Sequence, residues 1–391
     1  MSIDLRTNFC GLQFKNPIIV PAGIHGRDGK TIQEISTYGV AGICTKTIVS
    51  QPAQDVLPCF TKVPAGMINS VFGSDKGAQY WFSRGIEEAK QGDSLVIANL
   101  AGFTPEEAAE LAEKAVSCGA DMIVIPTHCP HMGEILNAMF EGMDFPEPHL
   151  TDLEPMKQSV KLVKQAVDVP VVVKLSGTFS HITPQWAQGV KDAGADGIAC
   201  ADALGPALSI DTDTGEPALG GPRGVGGLTG PAIMPITLRM VLDIALTVDL
   251  PIIGVGGVTT VDDILQYVMA GASLVGVCTA GHVSGPEHYR KLLADLEKRM
   301  QERGIASLDE LRGLTLKRIG ERRQAGKVAV TEPVVPEVNA EACIACGKCR
   351  TVCGYNAVYL EETAHIREEN CIGCGLCVSV CPTKAMQQQY Y

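Results

Sequence analysis

Along roughly the first 300 positions, short unbroken apolar runs alternate with longer stretches in which apolar residues recur at helical spacing. The runs cover residues 16–23, 40–48, 95–102, 122–129, 171–177, 196–203, 252–258 and 273–280. Each is rich in Val, Ile and Ala and lacks the alternation of a half-exposed strand, so each reads as a strand buried on both faces of a parallel sheet. Helix signals fall between them. Thr104-Pro105-Glu106-Glu107 supplies an N-cap, a Pro at the first helical position and a Glu placed for a capping box, and Gly119 follows the helix end near residue 118. Thr183-Pro184 opens another helix that ends near Gly194, and residues 261–271 and 286–303 fill the later intervals. Eight parallel strands with intervening helices predict an α/β fold, a (β/α)8 TIM barrel over residues 1–303. An open doubly wound sheet is the alternative; the count of eight and the closing helix favour the barrel.

The pattern changes after residue 303. Residues 304–335 read as a charged helical connector and a Pro-rich link, Glu332-Pro333-Val334-Val335-Pro336. Residues 336–391 form a cysteine-rich module, a two-cluster ferredoxin-like domain by the argument below.

Composition narrows the class. Of 391 residues 46% are hydrophobic and only 19% charged, which suits an enzyme-like core rather than a disordered chain. The net charge of −12, with scattered basic residues, gives no phosphate-backbone footprint and argues against nucleic acid. No signal peptide or unbroken apolar stretch of spanning length is visible, so a cytoplasmic, non-membrane protein is expected. Its 15 cysteines then read as reduced thiols and metal ligands rather than disulfides.

Eight of them form two runs, Cys343-x-x-Cys346-x-x-Cys349-x-x-x-Cys353 and Cys371-x-x-Cys374-x-x-Cys377-x-x-x-Cys381-Pro382. In this duplicated spacing three close thiolates wrap one cluster and the fourth reaches the other. The expected sets are Cys343, Cys346, Cys349 and Cys381 for one [4Fe–4S] cluster, and Cys353, Cys371, Cys374 and Cys377 for the second. The module resembles bacterial two-cluster ferredoxins, with Gly354 where that family usually has Pro. Structural zinc sites are the other thiolate reading, but those commonly use separated pairs.

In a TIM barrel, chemistry sits at the C-terminal strand ends. Two of those ends carry Lys46 and Lys174 inside otherwise apolar runs. A buried ammonium is costly unless an anion meets it. Each lysine is either a cation beside a flavin ring or half of an ion pair. Gly256-Gly257 and the Gly-rich stretch 224–230 let backbone approach a ligand, as a phosphate cradle needs. Lysines near a ring system together with a cradle suit FMN.

Pro21-Ala22-Gly23, Thr45-Lys46-Thr47, Val173-Lys174-Leu175, Gly226-Gly227-Leu228-Thr229-Gly230, Val255-Gly256-Gly257-Val258 and Val277-Cys278-Thr279-Ala280 occur in an order that resembles the dihydroorotate dehydrogenase superfamily. The fused cluster tail makes the chain look like the catalytic subunits of bacterial NAD-dependent dihydropyrimidine dehydrogenases within it. The resemblance implies that Ala22, Gly23, Lys46, Thr47, Asn99, Lys174, Gly227, Thr229, Gly230, Gly256, Gly257, Cys278 and Thr279 hold FMN. It implies that the chain reduces (or forms) an activated C=C bond of a small, cyclic or unsaturated carbonyl substrate, Cys129, in His128-Cys129-Pro130-His131, protonating one carbon while flavin N5 delivers hydride to the other. A thiol titrating near pH ~8.5 suits that task; the bland alternative is an inert buried thiol. His128 and His131 flank it as further candidates.

Asn69 fits the family's substrate loop, with His25 and Asp202 as further lining. The amide-reading residues of pyrimidine reducers are replaced here by Pro126, His128 and Ala201-Asp202, which predicts poor use of uracil and thymine. No strand–G-x-G-x-x-G–helix unit is present, so electrons are expected to pass between this chain and an NAD(P)H-oxidising flavoprotein subunit or a ferredoxin-like donor, in a homo- or hetero-oligomer. Two other outcomes stay open: a dihydroorotate dehydrogenase-like oxidation, and an electron-transfer subunit without substrate chemistry.

Overall fold

The computed structural model describes residues 3–127, 133 and 152–389, and in it the eight apolar runs become one closed, all-parallel barrel. The strands are β1 (Ile18–Val20), β2 (Gly42–Cys44), β3 (Leu95–Asn99), β4 (Met122–Pro126), β5 (Val171–Leu175), β6 (Gly197–Cys200), β7 (Ile252–Val255) and β8 (Leu274–Gly276). Their order around the ring is their order in the chain, which excludes the open sheet. Each strand is shorter than its run. Residues beyond the pairing stay buried as they turn over the rim, Thr45 and Lys46 among them, so burial extended the runs further than hydrogen bonding extends the strands.

Period two sorts each strand. Ile97, Val124, Val172 and Ile253 meet inside the barrel, whereas Val96, Ala98, Val171 and Val173 pack on the helices. A hairpin of Thr7–Phe9 with Leu12–Phe14 stoppers the end where the strands begin. Phe9 and Phe14 are each 1% exposed and meet edge to face, and they abut Gly197 and Gly42, the first residues of β6 and β2. Each ring buried there contributes about 1.5–3 kcal/mol.

The helix signals resolve with one change. Thr104 caps Pro105–Ser117 by accepting from Glu107 N at 3.1 Å. The Glu107 carboxylate, however, accepts from Phe103 N, one residue before the cap, and also from Ser50 Oγ, so the reciprocal bond of the expected box is displaced. A complete capping box occurs instead between Thr260 and Asp263, opening Val261–Ala270.

A second sheet was not visible in the sequence pattern. Leu204–Ala207, Gly226–Thr229, Gly66–Asn69 and Phe60–Val63 pair antiparallel in that order. The segments follow β2 and β6 in the chain, which places the sheet on the C-terminal face, and they are too short and glycine-rich to register as strands.

The chain divides into two compact units, Met1–Leu316 and Lys317–Tyr391. In the second, Val358–Leu360 pairs with Ala364–Ile366 and Glu337–Val338 with Met386–Gln387. Two short helices, Lys348–Val352 and Leu376–Ser379, each follow a glycine in the left-handed region, Gly347 and Gly375. Among the described residues no helix is long and apolar enough to cross a membrane.

Candidate functional site

Period two carries chemistry to the rim. Two positions beyond the inward-facing Cys44, Ile97 and Val172 stand Lys46, Asn99 and Lys174. All three are buried, at 7%, 0% and 8% exposure, where an unpaired charge is expensive. Lys174 Nζ lies 2.7 Å from Asp202 Oδ2, and Lys46 Nζ lies 3.2 Å from Asp55 Oδ2. Burial pulls the Lys174 ammonium down, but the adjacent Asp202 carboxylate outweighs it and raises the group above its ordinary value.

Asp202 stands two residues after β6 and its backbone N donates to Leu175 O of β5 at 2.7 Å. Its Oδ1 accepts from Ala203 N at 2.9 Å. Asp55 also accepts from Phe72 N at 2.7 Å, pinning the loop after β2. Asp55 escaped the sequence reading, because one acid in a polar loop carries no signal until its partner is known.

Asn99 joins the ends of β2 and β3. Its Nδ2 donates to Thr47 Oγ1 at 2.7 Å and its backbone N to Thr45 Oγ1 at 3.1 Å. Its Oδ1, and Ser70 Oγ nearby in sequence to Asn69, are buried without a hydrogen-bond partner. An orphaned buried polar atom costs about 1–3 kcal/mol, which a ligand donor would recover. The residues therefore fit a polar, planar group at this rim.

On the adjoining arc after β1, Gly23 packs under His282: a Cβ there would sit 2.9 Å from His282 Cε1 and 3.2 Å from Cys278 Sγ. His25 Nδ1 is 2.8 Å from Tyr289 Oη, and its ring meets His282 edge to face at 4.7 Å. Burial, then the neighbouring His25, lowers His282 to about 4. Burial pushes the Cys278 and Cys44 thiols up to about 12. Tyr289 and His282 were not singled out by the sequence, since their partner lies more than 250 positions away.

Gly257, at φ 78°, has no room for a side chain, because a Cβ would lie 2.5 Å from Met234 Cβ and 2.9 Å from Gly230 O. Thr279 begins the short helix Thr279–Ser284 and its methyl closes on Gly230. Gly230, Gly256, Gly257 and Thr279 thus gather at one place. Asn69 pairs with Gly227 across the second sheet, and Thr229 Oγ1 donates to Met67 O at 3.1 Å. Ala22 adjoins Gly23 after β1. Cys129, His128 and His131 lie outside the described residues.

In the second unit two cavities open. One is lined by Cys343, Cys346, Cys349 and Cys381, the other by Cys353, Cys371, Cys374 and Cys377. Among the described residues no three His, Cys, Asp or Glu side chains converge on a single-ion position. Four thiols around a cavity, rather than around a point, fit a cluster better than one zinc ion with its ~2.3 Å bonds.

Residues 4–300 match the family model for dihydroorotate dehydrogenase. The chain belongs to the dihydroorotate dehydrogenase family. Residues 336–388 match the 4Fe-4S dicluster domain. The chain is 36% identical over 317 residues to the catalytic subunit of dihydroorotate dehydrogenase B (NAD(+)) of Methanothermobacter thermautotrophicus, covering 80% of this chain and 99% of that protein. The corresponding subunits of Thermococcus kodakarensis and Exiguobacterium sibiricum are each 34% identical, over 80% and 78% of this chain and 98% and 94% of theirs.

These matches overturn the expected kinship with dihydropyrimidine dehydrogenase catalytic subunits. The fused tail suggested that kinship, but a cluster module is a portable electron lead and does not define the chemistry of the barrel it joins. The barrel decides, and it is that of a dihydroorotate dehydrogenase-family oxidoreductase with flavin- and iron–sulfur-binding domains.

Proposed function

We propose that this chain dehydrogenates a CH–CH bond beside a ring carbonyl, with dihydroorotate or a near relative as substrate. FMN and two [4Fe–4S] clusters, when bound, would carry the electrons to a separate subunit that holds the NAD site. The observation that carries the reading is Asn99 Oδ1, buried without a protein partner between the strands that bring Lys46 and Lys174 to the same rim. The relatives' printed activity supplies the reaction class.

Bound FMN supplies a two-electron acceptor that can release electrons singly. Lys46, Thr47, Asn99 and Lys174 would hold its ring end, and Ala22 and Gly23 would adjoin it. Gly230, Gly256, Gly257 and Thr279, which gather at one place, would receive its phosphate end, and Gly227, Thr229 and Cys278 would complete its site. Asn69 and His25 line the substrate side. Cys129 takes the proton from the substrate carbon as base, and His128 and His131 are placed by sequence to accept it onward. The working division is 1–303 for chemistry, 304–335 for linkage and 336–391 for electron exit. A reducing cytoplasmic compartment suits the 15 cysteines.

The test is anaerobic stopped flow on the holoenzyme. Dihydroorotate should bleach the flavin, and Cys129→Ala should slow bleaching by about 10²–10⁴-fold while retaining FMN and iron. A flavin that an artificial reductant bleaches but dihydroorotate does not rules out this substrate. Unchanged bleaching in the Cys129→Ala protein removes Cys129 from the mechanism.

A further inference from the structure

We propose that Asp202 is a positioning residue that cancels the charge of Lys174 beside the flavin and thereby keeps the bound flavin a strong reductant. The proposal rests on the flavin reading above and deepens it.

Asp202 holds Lys174 at 2.7 Å from a side chain that is itself one-third exposed, while the lysine is 9% exposed. Both carboxylate oxygens are engaged within the protein, one by Lys174 Nζ and one by Ala203 N at 2.9 Å. The backbone on either side is fixed as well, because Ala201 N donates to Val255 O and Asp202 N to Leu175 O, each at 2.7 Å. A carboxylate tied on both oxygens and at its backbone is a fixed charge rather than a swinging ligand for substrate.

The charges around it balance. Lys46 has its own carboxylate in Asp55, and the neighbouring thiols Cys44 and Cys278 stay neutral at physiological pH. Among these described residues, the rim thus carries two ammoniums and two carboxylates. Adding two electrons and one proton to FMN leaves one negative charge at its N1–O2 edge. An unpaired ammonium beside that edge would favour the reduced form. An ammonium already joined to a carboxylate favours it far less. An amide at position 202 could still hydrogen-bond Lys174, yet it would leave the positive charge uncancelled; the carboxylate is what changes the outcome.

The experiment is a dye-equilibrated anaerobic titration of the flavin midpoint potential in purified holoenzyme, with FMN content measured on each sample. Asp202→Asn should favour the reduced flavin by about tenfold or more, about 30 mV upward for a two-electron couple. Asp202→Glu should stay near the parent. Lys174→Met should shift the potential downward, and the double variant Lys174→Met/Asp202→Asn, again charge-balanced, should return toward the parent value. A structural role alone predicts no such return. An Asp202→Asn potential equal to or below the parent overturns the proposal, and so does a double variant that matches Asp202→Asn. Where Asp202→Asn does not fold, the proposal stands or falls on Lys174→Met lying below the double variant. A parent protein that binds no FMN on reconstitution overturns the flavin reading together with this one, whereas bound FMN with unmoved potentials overturns this one alone.

Discussion

Asn99 donates to Thr47 Oγ1 at 2.7 Å through Nδ2, while its Oδ1, in the same buried amide, has no partner in the protein. One half of the side chain is spent on fixing the amide plane and the other half is left for a ligand. Asn99→Ala should therefore weaken FMN binding by about 1–3 kcal/mol, roughly 5- to 150-fold. Fluorescence titration of the flavin-free protein measures this, and an unchanged Kd means that Asn99 does not face the cofactor.

The Lys46–Asp55 pair makes a prediction about stability. Removing Asp55 strands a buried ammonium and frees Phe72 N, so Asp55→Ala should cost about 3–5 kcal/mol. Lys46→Met/Asp55→Ala should recover a large part of that loss. Both tryptophans, Trp81 and Trp186, lie in the barrel unit, so denaturation followed by their fluorescence reports on the barrel alone. Equal stability of the single and double variants would show that the pair is screened by solvent.

The crossed cysteine sets give a sharper test. About eight iron atoms per chain are expected. Cys381→Ser should erase the signal of the cluster served by Cys343, Cys346 and Cys349, although Cys381 belongs to the second run in sequence. Cys353→Ser should erase the other. Iron analysis with low-temperature electron paramagnetic resonance distinguishes the two. If each substitution instead damages the cluster of its own run, the ligands are not crossed.

Much of this was legible in the sequence, and the reasons differ by feature. Strands such as Val171–Leu175 announced themselves because both faces are buried, which forces continuous apolar residues. The dicluster domain was legible in its two cysteine runs because a fixed cofactor demands fixed spacing. Lys174 stood out as a charge in an apolar strand, yet Asp202 could not be assigned to it, since their meeting depends on β5 and β6 lying side by side. The His25–His282 contact and the Asp55 partner of Lys46 were hidden for the same reason. The kinship was misjudged because the most conspicuous motif, the cysteine tail, is not the segment that sets the chemistry.

The His282 site predicts a pH dependence. Burial and the adjacent His25 hold its imidazole at about 4 instead of 6.5, so the folded chain keeps it neutral where the unfolded chain would take up a proton. Stability from this site is present above about pH 6.5 and is lost as the pH falls through about 4, by about 3 kcal/mol at 1.36 kcal/mol per unit. His282→Phe, which keeps a ring against His25, should flatten the slope of denaturation midpoint against pH in that window. An unaltered slope would assign the acid sensitivity elsewhere.

The paired rings of Phe9 and Phe14 have a kinetic meaning. They shut one end of the barrel, and the apolar layer above them leaves no passage along its axis. Substrate and product therefore share one face of the barrel: a product molecule must leave on the side its precursor entered. Lingering product should then behave as a competitor of incoming substrate, a cul-de-sac rather than a corridor.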